Sequence, residues 1–171
     1  MRYSGMLKWA AAGVLTLAMM APGTLRAQSG DTVLKQAEIQ KLLPAAVFYR
    51  GQTAPTEVRN SGGVKLSDGF YIVAALVDTS GYTTGVQAKY QAYFITEVPI
   101  KFGGQALAAG AYGLGLVDGK FLITDLGAHD VLSVSASDDA GMQRPRPLEI
   151  VADPAGGFRL YIQRKYLIIS R

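Results

Sequence analysis

From Ala45 to the C terminus the chain is a succession of short apolar or alternating runs, each closed by glycine, proline or Asp-Gly. Alternation of period two puts apolar side chains on one face of a strand, and turn signals about every 8–15 positions fold such strands back on one another. Val47-Phe48-Tyr49-Arg50 and Thr56-Glu57-Val58-Arg59 read as short strands around Pro55, with Ser61-Gly62-Gly63 turning the chain into Val64-Lys65-Leu66. Asp68-Gly69 opens a hairpin into Phe70–Val77, an apolar run suited to a central strand covered on both faces. Val98, Ile100 and Phe102 oppose Glu97, Pro99 and Lys101. Pro99 lacks a backbone donor and belongs at a sheet edge or bulge, and Gly103-Gly104 closes that strand.

Further on, Tyr112, Leu114 and Leu116 alternate with Gly113, Gly115 and Val117 before Asp118-Gly119 and the return through Phe121-Leu122-Ile123. Asp-Gly between apolar runs favours a type I′ turn, whose two central residues need positive φ. Leu132, Val134 and Ala136 alternate with serines, and Leu148, Ile150 and Ala152 repeat the pattern. Pro154-Ala155-Gly156-Gly157 turns into Phe158, Leu160 and Ile162; Arg164-Lys165 then interrupts before the apolar end Tyr166–Ile169. The pattern predicts an all-β protein: an antiparallel β-sandwich or small β-barrel of about eight strands, with one short N-terminal helix. Residues 45–171 form its single antiparallel β domain.

The residues before that domain are of two kinds. Met1–Ala27 reads as a secretory signal peptide: Arg2 and Lys8 supply a basic start, Trp9–Ala21 is an uncharged apolar stretch, and Ala27 is a small residue before the polar Gln28-Ser29-Gly30. Cleavage after Gly23 is the alternative, because Leu25 is a poor third residue before the cut. The apolar stretch falls short of the ~20 residues a spanning helix needs. Residues 28–44 are a lead-in and short helix: Asp31 is expected to cap a helix over Thr32–Leu43, with Val33, Leu34, Ala37 and Leu42 near one face, strapping or plugging the end of the sheet structure, and Pro44 stopping it. The mature protein is therefore expected in the periplasm or outside the cell.

Composition then excludes several functions. The 17 Lys+Arg and 13 Asp+Glu suggest a basic protein, but Arg2, Lys8 and Arg26 depart with the leader. Near-neutral charge leaves no concentrated basic surface for nucleic acid or an anionic membrane. With no cysteine, there is no lipid anchor on cysteine, no thiol catalysis and no thiolate metal site. An outer-membrane barrel needs strands of ~9–11 residues with aromatic girdles, and most runs here are shorter. No stable membrane insertion is expected.

Candidates for chemistry are sparse. Ser61 and Ser80 lie outside any G-x-S-x-G elbow and suit turns. His129, the one histidine, precedes Asp130 and would need distant carboxylates to hold a metal. Asp125, Asp130 and Asp138-Asp139 do not match a calcium-loop spacing. No cofactor or metal is indicated. Two segments suit binding better. Asp78–Tyr93 is a long glycine-bracketed polar loop running into a tyrosine-bearing strand; Tyr82, Thr83, Thr84, Tyr90 and Tyr93 offer rigid aromatic faces with polar tips. In Arg144-Pro145-Arg146-Pro147 the prolines hold the backbone extended and push Arg144 and Arg146 outward, where they suit carboxylate or phosphate.

The run Gly104–Leu114 contains Leu-x-x-Gly-x-Tyr-x-Leu, a loop-to-strand step found in secreted bacterial β-sandwich domains. With Leu43–Phe48, Arg59–Gly63 and Leu76–Tyr82, it resembles an uncharacterised, acidobacterial-type family of exported β proteins of unknown function. The resemblance implies a β fold and export, and carries no catalytic residue. The chain thus reads as an exported, non-enzymatic binding or interaction module for an unknown protein or small-molecule ligand, contacted through residues 78–93. Alternatives are a small β-barrel carrier of an apolar ligand, with room inside left by Gly110–Gly115, and a hydrolase using His129.

Overall fold

A computed structural model describes residues 30–171; the expected signal peptide lies outside the described residues. The elements in order are β1 (Thr32–Val33), α1 (Gln36–Leu42), β2 (Ala46–Tyr49), β3 (Gln52–Lys65), β4 (Tyr71–Val77), α2 (Thr84–Lys89), β5 (Ala92–Thr96), β6 (Ile100–Phe102), β7 (Gln105–Leu107), β8 (Gly110–Val117), β9 (Lys120–Thr124), β10 (Asp130–Ser135), β11 (Ser137–Asp138), β12 (Leu148–Ala152), β13 (Phe158–Ile162) and β14 (Lys165–Ser170). One sheet runs β1-β3-β4-β5-β8-β9-β10 with β2 attached to β3; the other runs β12-β13-β14-β6-β7 with β11 attached to β14. Every ladder is antiparallel. The fold is an all-β sandwich.

The interior between the sheets is filled by side chains. Phe94, Phe102, Phe121, Leu114 and Leu160 are fully buried there, and the Phe94 and Phe102 rings meet edge-on at 5.3 Å. Glycines of β8 do not open a chamber inside, because Gly113 and Gly115 face outward while Tyr112, Leu114 and Leu116 face the core. The room expected for an apolar cargo is therefore on the other side of the sheet, where tyrosines and α2 occupy it.

Turn chemistry sets most of the topology. Asp118 (φ 50°) and Gly119 (φ 72°) join β8 to β9 with Val117 opposite Lys120, the type I′ hairpin the dipeptide predicts. Gly103 and Gly104, both at positive φ, join β6 to β7 in the same way. Pro99 falls between β5 and β6, where the chain leaves one sheet for the other, so its missing donor interrupts no ladder. The Leu-x-x-Gly-x-Tyr-x-Leu step makes the reverse crossing, from β7 to β8. There the Tyr112 hydroxyl donates to the Ala108 carbonyl at 3.0 Å and its ring covers Gly110, where a Cβ would lie 2.9 Å from the hydroxyl oxygen.

Three local expectations are corrected. Ser61-Gly62-Gly63 is not a turn but the interior of β3, which runs through 14 residues with a register shift between Glu57 and Ser61. Gly62 is needed because β12 crosses so closely that a Cβ would strike the Ile150 backbone nitrogen. The turn lies earlier, at Arg50-Gly51, both at positive φ between β2 and β3. The helix is also shorter than its apolar pattern suggests. Thr32-Val33 pairs with β3, Lys35 is the N-cap, and Asp31 accepts the Ser67 N–H at 2.9 Å instead of capping. Ile39, not Leu42, is its buried residue, and Gln36 ties α1 to the Val58 carbonyl and the Ser61 hydroxyl. The helix straps the unpaired bulge of β3. Finally, the β13–β14 turn is Gln163-Arg164, with Gln163 at φ 57° and Lys165 already in the strand opposite Ile162.

Candidate binding site

The polar segment 78–93 is not an open loop. Tyr82 N–H donates to the Thr79 carbonyl, and the Gln87 side-chain amide donates to both Thr79 and Tyr82 carbonyls at 3.0 and 2.9 Å. Thr83, in extended conformation, precedes the single helical turn α2, which buries Val86. This helix escaped sequence reading because Gly85 and two threonines dilute its pattern, and one turn is too short to show periodicity. Its C-terminal end lies flush on β8: a Cβ at Gly115 would strike the Lys89 carbonyl.

The tyrosines separate sharply. Tyr90 is fully buried, stacked on Tyr49 with centroids 3.7 Å apart, and Tyr82 meets both rings edge-on. Tyr90 is thus no contact residue, a correction that follows from the flat floor Gly113 leaves under it. The Tyr49 hydroxyl and the Thr124 hydroxyl lie 2.9 Å apart, hydrogen-bonded, and Tyr82 donates to the Tyr49 carbonyl at 3.2 Å. The Tyr90 hydroxyl has no partner among the described residues. Burial raises the phenol pKa values of Tyr82, Tyr90 and Tyr93, most strongly at Tyr90. Tyr93 is half-buried beside Gly113, whereas Thr83 and Thr84 are exposed. Tyr49, which completes the stack, was not singled out from sequence; it stood there only as part of the short strand expected over Val47-Phe48-Tyr49-Arg50.

Two adjoining hollows open beside the β13–β14 turn, and the smaller has residues of both sheets in its lining. The larger, about 510 Å³, is lined by Asp138, Pro145, Pro147, Gln163, Arg164 and Lys165. The smaller, about 290 Å³, is lined on one sheet's side by Glu57, Leu76, Val77, Thr79 and Gln91, and on the other by Pro147, Ile162 and Gln163. Pro147 and Gln163 belong to both. Two segments distant in sequence thus converge on the smaller hollow: 78–93 contributes Thr79 and Gln91, and the Arg-Pro-Arg-Pro connection contributes Pro147, while Pro145 lines the larger one. No family model, curated protein or solved structure matches the chain. The site must therefore be read from its own geometry.

Some of the polar groups around these hollows are fixed in place. Gln91 is locked by hydrogen bonds to Leu116 in both directions, its amide donating to the carbonyl at 3.3 Å and its oxygen accepting the N–H at 3.2 Å. Arg144 and Arg146 are exposed on either side of Pro145, with Arg146 3.8 Å from Glu149. His129 lies elsewhere, largely exposed, its Nδ1 2.9 Å from Asp125. The His129 N–H and ring together hold the Asp125 carboxyl below its usual pKa. Among the described residues no three His, Asp or Glu side chains converge as metal ligands, and no helix is long and apolar enough to cross a membrane.

Proposed function

We propose that the mature protein is an exported, non-enzymatic binding module whose ligand occupies the cleft beside the β13–β14 turn. The observation that carries this reading is the convergence of Thr79 and Gln91 with Pro147 around the smaller hollow, which shares Pro147 and Gln163 with the larger one beside it. Concave sites of a few hundred cubic ångströms with apolar walls and a few fixed polar groups are the common form of small-molecule sites. The strands, not loose loops, supply the frame: β3, β4 and β13 carry Glu57, Leu76, Val77 and Ile162. The tyrosine stack supports the cleft indirectly, since Gln87 ties Thr79 to Tyr82 and Tyr82 to Tyr49 follows.

Native mass spectrometry of the mature chain, purified from its host's envelope, tests the reading. The expected result is a mass beginning at Gln28 plus an adduct of the order of a few hundred daltons that is lost on denaturation. Gln163→Trp, which fills the cleft from an exposed turn, removes the adduct. An adduct that survives in Gln163→Trp overturns the location, and a protein-sized adduct or homo-oligomer overturns the small-molecule reading.

A further inference from the structure

We infer that the cleft is built for an amphipathic anion: a small molecule with a carboxylate or phosphate head and an apolar tail. The inference rests on the cleft being the binding site and names the chemistry of its ligand. The inner walls are apolar, formed by Leu76, Val77, Ile162 and Pro147. The adjoining larger hollow carries the cations: Arg164 and Lys165 line it with Asp138, and Arg144 and Arg146 flank its Pro145 in sequence.

The pairing of these cations decides the sign of the head group. Among the described residues, Arg144 and Arg164 have no carboxylate within ion-pair distance; Arg164 donates only to the Ala140 carbonyl, at 3.4 Å. Lys165 to Asp138 at 3.5 Å and Arg146 to Glu149 at 3.8 Å are long pairs whose cations remain accessible, so an incoming anion can join them. Two acids line the hollows: Asp138, in the larger, shares its charge with Lys165, and Glu57, in the smaller, accepts from the Asn60 amide at 2.7 Å. A cationic head would meet two unpaired guanidinium groups. An anionic head meets planar donor forks suited to two-oxygen recognition.

The prolines strengthen the case. Pro145 and Pro147 fix the backbone on both sides of Arg146 and after Arg144, so less freedom is lost when those side chains close on a head group. The smaller hollow, about 290 Å³, has the volume of a chain of about eight to ten carbons.

Amide chemical-shift titration of the mature chain with three ten-carbon amphiphiles, each below its micelle concentration, tests this. Decanoate and decyl phosphate carry an anionic head, and decyltrimethylammonium carries the same tail on a cation. The expected result is shifts at Thr79, Gln91 and Gln163 with an anionic probe and none there with the cation. Whichever anion binds tighter identifies the head as carboxylate or phosphate. Arg144→Gln with Arg164→Gln should weaken that binding by about tenfold or more while leaving Tm unchanged, because both positions are exposed. Equal binding of all three probes at these amides overturns the anion inference and leaves the cleft reading standing. Shifts confined to exposed apolar residues such as Phe48 and Phe70, or no shifts at all, overturn the inference as well. The cleft reading is then decided by the adduct experiment.

Discussion

Tyr90 lies on Tyr49 as one plate on another, their planes 13° apart and their centroids separated by 3.7 Å. The two rings share an environment but not a fate. The Tyr49 hydroxyl is bonded to Thr124, and the Tyr90 hydroxyl is buried without a partner among the described residues. Their packing exists because β8 presents Gly113 where any side chain would intrude, 2.8 Å from Tyr49 and 2.9 Å from Tyr90.

Gly113→Ala should therefore destabilise the fold by about 1–3 kcal/mol, since the added methyl overpacks a site whose neighbours cannot all retreat. Gly81→Ala, where a Cβ meets nothing within 4 Å, should change stability by less than about 0.5 kcal/mol. Urea denaturation of both variants checks the contrast, and equal effects would refute the floor role of Gly113.

The two hydroxyls predict opposite responses to the same atom's removal. Tyr49→Phe breaks a buried hydrogen bond and strands Thr124, at a cost of about 1–3 kcal/mol. Tyr90→Phe deletes an unsatisfied buried donor and should raise stability by about 1 kcal/mol. A loss of stability in Tyr90→Phe would refute the assignment of that hydroxyl as unsatisfied.

Alkaline pH probes the same cluster. The unfolded chain releases phenol protons near 10.0, whereas burial keeps Tyr82, Tyr90 and Tyr93 protonated to higher pH. Above pH 10 the folded state binds more protons, so this contribution is whole below that pH and is lost as pH rises. Tm measured from pH 8 upward should fall beyond pH 10 in the native chain, and fall less steeply in Tyr90→Phe.

At the acid end the sign reverses. Asp153, with its side chain buried, is paired with Arg159 and accepts the Ala155 N–H at 2.7 Å. Those bonds hold its carboxyl below the ordinary 3.8, so their stabilisation is present above that pH and lost as pH falls through the folded value. Asp153→Asn should melt well below the native chain at pH 7, with the gap narrowing under pH 4. A constant gap would show that the carboxylate charge plays no part.

The legible parts of this protein were those fixed by neighbouring residues. Asp118-Gly119 and Gly103-Gly104 specify their hairpins because positive φ is a property of two adjacent residues, and the alternation of Val98, Ile100 and Phe102 specifies a buried face. Ser61-Gly62-Gly63 misled for the converse reason. Its Gly62 answers a backbone that crosses from 88 positions away in sequence at Ile150, a demand that leaves no local trace.

The candidate site divides in the same way. That residues 78–93 and Arg144–Pro147 carry aromatic, hydroxyl and guanidinium groups was readable from residue type, since tyrosine, threonine and proline-stiffened arginine have those properties wherever they stand. Only the sandwich decided which of them reach the surface and which share a hollow: it turned Tyr90 inward onto Tyr49, left Thr83 and Thr84 exposed, and brought Thr79 and Pro147 to one lining. By itself the sequence determined strand, turn and side-chain alternation, because these follow from each residue's own backbone and immediate neighbours. The tertiary structure decided which hydroxyls are buried and which segments share a cleft, because those depend on how two sheets, assembled from distant strands, come to face one another.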